Sequence, residues 1–279
     1  MVAMAKQRLR SAGLFAARWR AWIQTGFLFV WLAPLGLRFH SFCGPVFHCY
    51  SCPLAAFACP IGIMAGAASL HMIPFALIGT LLVVGGLVGA AVCGWMCPFG
   101  FLQDLASRVP TRKFTLPAWS GHLRYVVLAG LVLAIPFFFG ESHPLYICSV
   151  CPAGALEGSA PNLVKTAVAG GPVIWPNALK IGIVAAFLGA MFFVSRPWCT
   201  LLCPLGAIYG LFNRASVFFL RFLPEKCTNC GLCRKLCPMG VKPDERANDP
   251  RCMRCLECTR CEALTVGNAF EGGGDKREV

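Results

Sequence analysis

Charge is scarce in this chain. Of its 279 residues only 13% are Asp, Glu, Lys or Arg, while 57% are hydrophobic. Soluble domains carry about twice that charged fraction, roughly 25%. A soluble fold of this length cannot hide so much apolar surface, so lipid is expected to cover part of it. Acids are scarcer still, 12 against 25 basic residues. No Cys-x-x-Cys-His occurs, which excludes covalent c-type haem. No Gly-x-Gly-x-x-Gly opens a strand–helix unit, which removes the usual nicotinamide or flavin fingerprint. The five histidines are scattered. As haem ligands only His71, near a span end, and His40, His122 and His143 come into question, and each reads more simply as an interfacial polar residue.

The net charge of +13 would suit a nucleic-acid binder, but its placement does not. Residues 1–20 hold Lys6, Arg8, Arg10, Arg18 and Arg20 with no acid. Arg108, Arg112, Lys113 and Arg124 follow in one later stretch against Asp104 alone, and Arg196, Arg214 and Arg221 in another. The segments between carry almost nothing beyond Arg38, Lys165 and Lys180. That alternation is the positive-inside bias of a membrane protein.

Four apolar segments approach the roughly 17–25 residues of a membrane helix: Trp22–Leu37, Met72–Val92, Leu123–Phe139 and Ala178–Val194. Their separation excludes a single removable signal peptide. The expected fold is an all-α membrane protein of about four transmembrane helices in two pseudo-repeated hairpins, with both termini on the cytoplasmic side. A small α+β ferredoxin-like domain follows. The transmembrane domain is expected over 1–220, its repeats over about 38–108 and 140–214, and the C-terminal domain and Gly-rich tail over 221–279. The repeat is explicit: Cys49-x2-Cys52-Pro, a span and Cys93-x3-Cys97-Pro-Phe-Gly recur as Cys148-x2-Cys151-Pro, a span and Cys199-x3-Cys203-Pro-Leu-Gly. Two copies of one plan imply a pseudo-two-fold axis along the membrane normal.

The cysteines, 18 in all, fall into groups with ligand spacing. Cys227-x2-Cys230-x2-Cys233-x3-Cys237-Pro is the run in which three thiolates hold one [4Fe–4S] cube and the fourth serves its neighbour. Cys252-x2-Cys255-x2-Cys258-x2-Cys261 is its complement, one residue short in the last spacing and with Glu262 where proline is usual. The expected ligand sets are Cys227, Cys230, Cys233 and Cys261 for one cube, and Cys252, Cys255, Cys258 and Cys237 for the other. Zinc also takes four cysteines, but typically from two separated pairs.

Pairing like with like across the repeat assigns Cys93, Cys97, Cys199 and Cys203 to an inner-face cluster. Cys49, Cys52, Cys148 and Cys151 would hold an outer one. Redox-active dithiols and structural disulfides compete with this reading. Cys43 and Cys59 are left open: they could join Cys49 and Cys52 in a separate cluster or form a disulfide. His48 adjoins Cys49 and could hydrogen-bond a cluster sulfur. Cubes at opposite faces would stand about 30 Å apart, too far for one efficient hop unless the outer segments re-enter the bilayer.

Two Cys-x3-Cys-Pro motifs after membrane spans, followed by two ferredoxin runs, resemble the membrane-bound ferredoxin-type family typified by NapH, MauN and the membrane part of NosR. The resemblance runs from the second apolar segment onward, and the outer cysteines look more like a polyferredoxin branch. It implies an electron-transfer subunit, of quinol-dehydrogenase type, in a membrane redox complex. Two to four [4Fe–4S] clusters and the quinone pool would be its redox partners, with a periplasmic iron–sulfur or cytochrome protein at the outer face and no nucleic acid. The alternative is a redox sensor, or a supplier of reductant for enzyme maturation.

Overall fold

Proline at the first turn of a helix is tolerated because its missing N–H would have no intrahelical partner there. This chain uses that repeatedly. The computed structural model describes residues 19–31, 39–49, 51, 57–171, 175–176 and 178–270. The helices of its first half are α1 (residues 19–31), α2 (Pro60–Ser69), α3 (Phe75–Val88), α4 (Ala91–Trp95), α5 (Pro98–Ser107) and α6 (Ala118–Phe139). The second half has α7 (Ile147–Val150), a π turn Gly154–Ser159 leading into α8 (Ala160–Val168), α9 (Ala178–Phe193), α10 (Pro197–Leu201), α11 (Pro204–Phe212) and the short α12 (Leu232–Leu236). Proline stands in the first turn of α2, α5, α8, α10 and α11.

The architecture is mostly helical, as expected, and one of the four expected spans is matched by a long apolar helix. Among the described residues only α6, at 22 residues, is long and apolar enough to cross a membrane. At about 1.5 Å per residue α3 and α9 reach only about 21 and 24 Å, short of a hydrocarbon core of about 30 Å. The segment expected over Met72–Val92 breaks at both ends for local reasons. Pro74 precedes α3, and Gly89 turns the chain at φ +57, where an added Cβ would come within 2.7 Å of Asn213 Oδ1. α6 begins at Ala118, earlier than Leu123, and is carried past Pro136 by a π-helical stretch, Leu128–Ala134. Such a stretch relieves the clash of a proline ring with the preceding turn. Residues 32–37 of the first apolar segment lie outside the described residues.

Two further departures concern residues 38–71, expected as an outer loop. They contain α2, which packs on α6, and a small parallel pairing of β1 (Phe39–Cys43) with β2 (Phe57–Ala58). Residues 43–49 then run inward. Tyr209 Oη donates to the Pro45 carbonyl at 3.0 Å, the Cys97 thiol to the Phe47 carbonyl at 3.7 Å, and Phe47 packs against Phe99 and Trp198 with ring centroids 5.9 and 6.0 Å apart. The segment thus packs among the helices, and Phe47 lies between the two groups of cysteines of the helical part.

Much large apolar surface is exposed. Phe75, Leu82, Val83, Val126, Phe138, Ile181 and Phe193 are exposed, a density of apolar surface uncommon on soluble monomers.

The C-terminal segment forms an antiparallel pair, β3 (Phe218–Phe222) with β4 (Leu264–Asn268), in the register Phe218↔Asn268 to Phe222↔Leu264. The boundary expected at 220/221 therefore falls inside β3. This segment docks directly on the helices. Gly210 of α11 and Gly94 of α4 lie so near the Pro250 and Met253 carbonyls that a Cβ would stand 2.1 and 2.5 Å from them. Trp95 Nε1 donates to the Arg254 carbonyl at 2.9 Å.

Candidate functional site

Five cysteines share one local device, Cys-Pro-x-Gly: Cys59, Cys97, Cys151, Cys203 and Cys237. Proline fixes the first turn after the cysteine, and the backbone N–H of the glycine reaches back to the sulfur. Gly154 N–H meets Cys151 Sγ at 3.5 Å and Gly206 N–H meets Cys203 Sγ at 3.4 Å. The same contact links Gly62 to Cys59, Gly100 to Cys97 and Gly240 to Cys237. N–H groups aimed at one sulfur favour a negative thiolate. The first residues of α2, α5 and α11 thereby become ready-made thiolate seats.

Cys93, Cys97, Cys199 and Cys203 are brought together. They line one small cavity with Phe47, Arg124, Met239, Cys252 and Met253, and they are near enough for their thiolates to repel one another. Gln103, 1% exposed, donates from Nε2 to Cys199 Sγ at 3.2 Å, while its Oε1 accepts from the Trp198 N–H at 3.2 Å. Arg124 is buried, and its Nε has no protein partner.

In the C-terminal segment Cys237 lies beside Cys252, Cys255 and Cys258. Cys261 lies beside Cys230 and Cys233. The chain thus crosses between its two runs. Cys227 is placed at the N-terminal end of the first run, after the turn Pro224–Lys226. Burial pushes the Cys252 thiol up to about 12 and Cys258 upward too, so bare thiolates are disfavoured and a cationic metal core would offset the cost. The segment abuts the Cys93 set: Cys93, Cys199 and Cys237 pack against one apolar cluster of Met239, Val241, Met253 and Cys255.

Cys49, Cys148 and Cys151 line a second cavity, of about 610 Å³, and the fourth cysteine there is Cys59. Cys52 lies outside the described residues. Every described cysteine is a free thiol, so Cys43 and Cys59 are not joined. Cys43 pairs across the strands with Ala58 and is not among the residues lining that cavity. Phe47 lines both cavities.

Sequence reasoning missed a buried charge node. Arg196, 1% exposed and held at φ +52, forks onto Asp104, with Nε at 2.6 Å from Oδ1. Arg20 pairs with the same carboxylate, and Gln24 donates to it at 3.0 Å. Arg20 Nε and Arg196 Nη1 continue to the Gly94 and Cys93 carbonyls at 3.1 and 3.2 Å. Burial alone would raise the Asp104 carboxyl, but the Arg196 and Arg20 guanidiniums outweigh it and hold it below its ordinary value. Arg20 and Arg196, expected from the sequence only as topological charges, are therefore partners of a buried carboxylate. The signal that could have found the node was Asp104 itself, the lone acid in a basic stretch.

The residues present fit iron–sulfur cubes. Cys93, Cys97, Cys199 and Cys203 gather as one set of four and Cys237, Cys252, Cys255 and Cys258 as another, with backbone N–H donors at several of the sulfurs and buried guanidiniums nearby.

The comparisons agree with this chemistry. A family model described as a 4Fe–4S binding domain matches residues 70–117 and 178–224, and a second so described matches 220–242. An uncharacterized protein of Methanocaldococcus jannaschii is 33% identical over 199 residues, covering 66% of this chain and 75% of that protein. The putative electron transport protein YccM of Escherichia coli is 29% identical over 69% of this chain and 52% of its own length. The methylamine utilization ferredoxin-type protein MauN of Methylorubrum extorquens is 30% identical over 64% and 55%. The chain thus spans about half the length of the latter two. No solved structure matches it.

Proposed function

Because this chain belongs to the 4Fe–4S polyferredoxin family related to MauN, NosR, NirI and YccM, we propose that it conducts single electrons through a membrane as a subunit of a respiratory complex. It is a ferredoxin-type iron–sulfur electron-transport protein, and [4Fe–4S] groups supply the one-electron chemistry. The finer reading places it in the inner membrane with both termini cytoplasmic. It exchanges electrons between a cytoplasm-side partner, the quinone pool and an iron–sulfur or cytochrome protein at the outer face.

The observation that carries this reading is the contiguity of the thiol sets. Cys261 lies beside Cys230 and Cys233, Cys233 lies beside Cys258, and Cys258 lies beside Cys237, Cys252 and Cys255. Met239 and Met253 separate these from Cys93 and Cys199. Phe47 stands between the Cys93 set and the cavity of Cys49, Cys148 and Cys151. The chain's own residues position the thiolates, exclude water with apolar packing and compensate charge through Arg124 and Arg196.

The test is iron and acid-labile sulfide per purified chain: about sixteen irons correspond to four cubes, and about eight would confine them to the C-terminal segment. Dithionite-reduced membranes should then reoxidise rapidly on adding a quinone analogue. Two relatives, from Pseudomonas aeruginosa and Stutzerimonas stutzeri, carry the name regulatory protein NosR, which favours redox sensing as a second reading. Centres inert to quinone would support it.

A further inference from the structure

We propose that Cys59, rather than Cys52, completes a [4Fe–4S] site with Cys49, Cys148 and Cys151 in the 610 Å³ cavity. The inference rests on the reading that the helical part holds clusters, and it assigns ligands outside the residues matched by either family model, 70–117 with 178–224 and 220–242.

Three independent observations converge. First, all four thiols line the same cavity and lie near enough for mutual repulsion of their thiolates. Second, Cys59-Pro60-Ile61-Gly62 has the local device of the other Cys-Pro-x-Gly cysteines, with the Gly62 and Ile61 N–H groups at its sulfur. Cys52 is followed by Pro53-Leu54-Ala55 and lacks the glycine. Third, the cavity wall carries a buried polar group without a hydrogen-bond partner. His48 is 4% exposed; its Nε2 has no partner, and its Nδ1 lies 3.0 Å from Glu157 Oε2 outside hydrogen-bond geometry. A buried imidazole left this way points to an acceptor such as a cluster sulfur.

The wall also leaves room for the group. A Cβ at Gly158 would stand 3.0 Å from Cys49 Sγ and one at Gly154 3.8 Å from it. Glu157 accepts the Cys49 backbone N–H at 3.0 Å and so fixes that strand of the wall.

The experiment compares the purified full chain with its C59A and C52A variants by iron and sulfide content and by electron paramagnetic resonance. Wild type is expected to hold about sixteen irons, C52A the same, and C59A about four fewer or one cube converted to a three-iron centre. Iron lost from C52A and kept in C59A overturns the assignment, as does iron kept in both. About eight irons in wild type overturns the wider reading as well, so the two failures are distinguishable. If C59A does not accumulate, maleimide labelling of the wild-type protein decides. Cys52 is expected to react before iron is stripped with a chelator and Cys59 only afterwards, and the reverse order overturns the proposal.

Discussion

At Cys199 a single amide shapes the environment of the sulfur. Gln103 Nε2 is its donor, and the Trp198 N–H locks the amide's orientation through Oε1. Hydrogen bonds to cluster sulfurs favour the more negative state. Gln103→Leu removes one such bond, worth about 1 kcal/mol, and is expected to lower the potential of the centre at Cys199 by on the order of 40 mV in a redox titration followed by electron paramagnetic resonance. Asp104 makes a pH-dependent contribution. Its folded pKa is depressed, so the stability it supplies is full above the unfolded value of about 3.9 and is lost as pH falls through the folded value. Thermal unfolding in detergent should show a melting temperature that declines below about pH 4. In D104N that acid dependence should shrink, and two buried guanidiniums left without their carboxylate should cost about 3–5 kcal/mol at neutral pH.

Among elements, α4 and α11 are built for close approach. Gly94 and Gly210 let backbone carbonyls of the C-terminal segment come nearer than any side chain would allow. Gly210→Ala forces the Pro250 carbonyl outward and is expected to destabilise the protein by about 1–3 kcal/mol, read as a lower melting temperature. Because the shift is directed at the docking surface, hydrogen exchange should rise first in β3 and β4 and leave α6 unchanged. The helix α6 shows the opposite use of local chemistry. Its π turn passes Pro136 without ending the helix, a continuation that the proline alone would argue against.

For the molecule as a whole, Arg254 joins the two parts. It is buried, which pulls its guanidinium down to about 10, still well above physiological pH. Nη1 donates to the Val88 carbonyl at 3.1 Å and to Ser216 Oγ at 2.7 Å, and Nη2 to the Asn213 carbonyl at 2.5 Å. Asn213 in turn accepts from the Ala90 N–H at 3.0 Å and donates to the Cys252 carbonyl at 2.7 Å. Arg254→Met leaves several buried acceptors unsatisfied, each costing about 1–3 kcal/mol. Limited proteolysis between residues 213 and 226 should accelerate, and electron exchange between the ferredoxin-type centres and the Cys93 set should slow. Equal proteolysis of variant and wild type would mean that the parts are held together elsewhere.

Cysteine spacing by itself determined the chemistry of this protein, because repeated Cys-x2-Cys and Cys-x3-Cys-Pro groups put several thiolates within a few residues of one another, the donor set of iron–sulfur groups, whereas which thiolates meet was left to the fold. The apolar excess likewise announced a mostly helical fold with much exposed apolar surface, since it is a sum over segments. The tertiary structure alone decided which helices are long enough to span and that residues 43–49 pack among the helices, with Phe47 between two groups of cysteines. It also decided that Arg20 and Arg196 are buried partners of Asp104. Those outcomes depend on contacts between residues tens to hundreds of positions apart, such as Tyr209 with Pro45 and Arg196 with Asp104, and no local pattern encodes such a pairing.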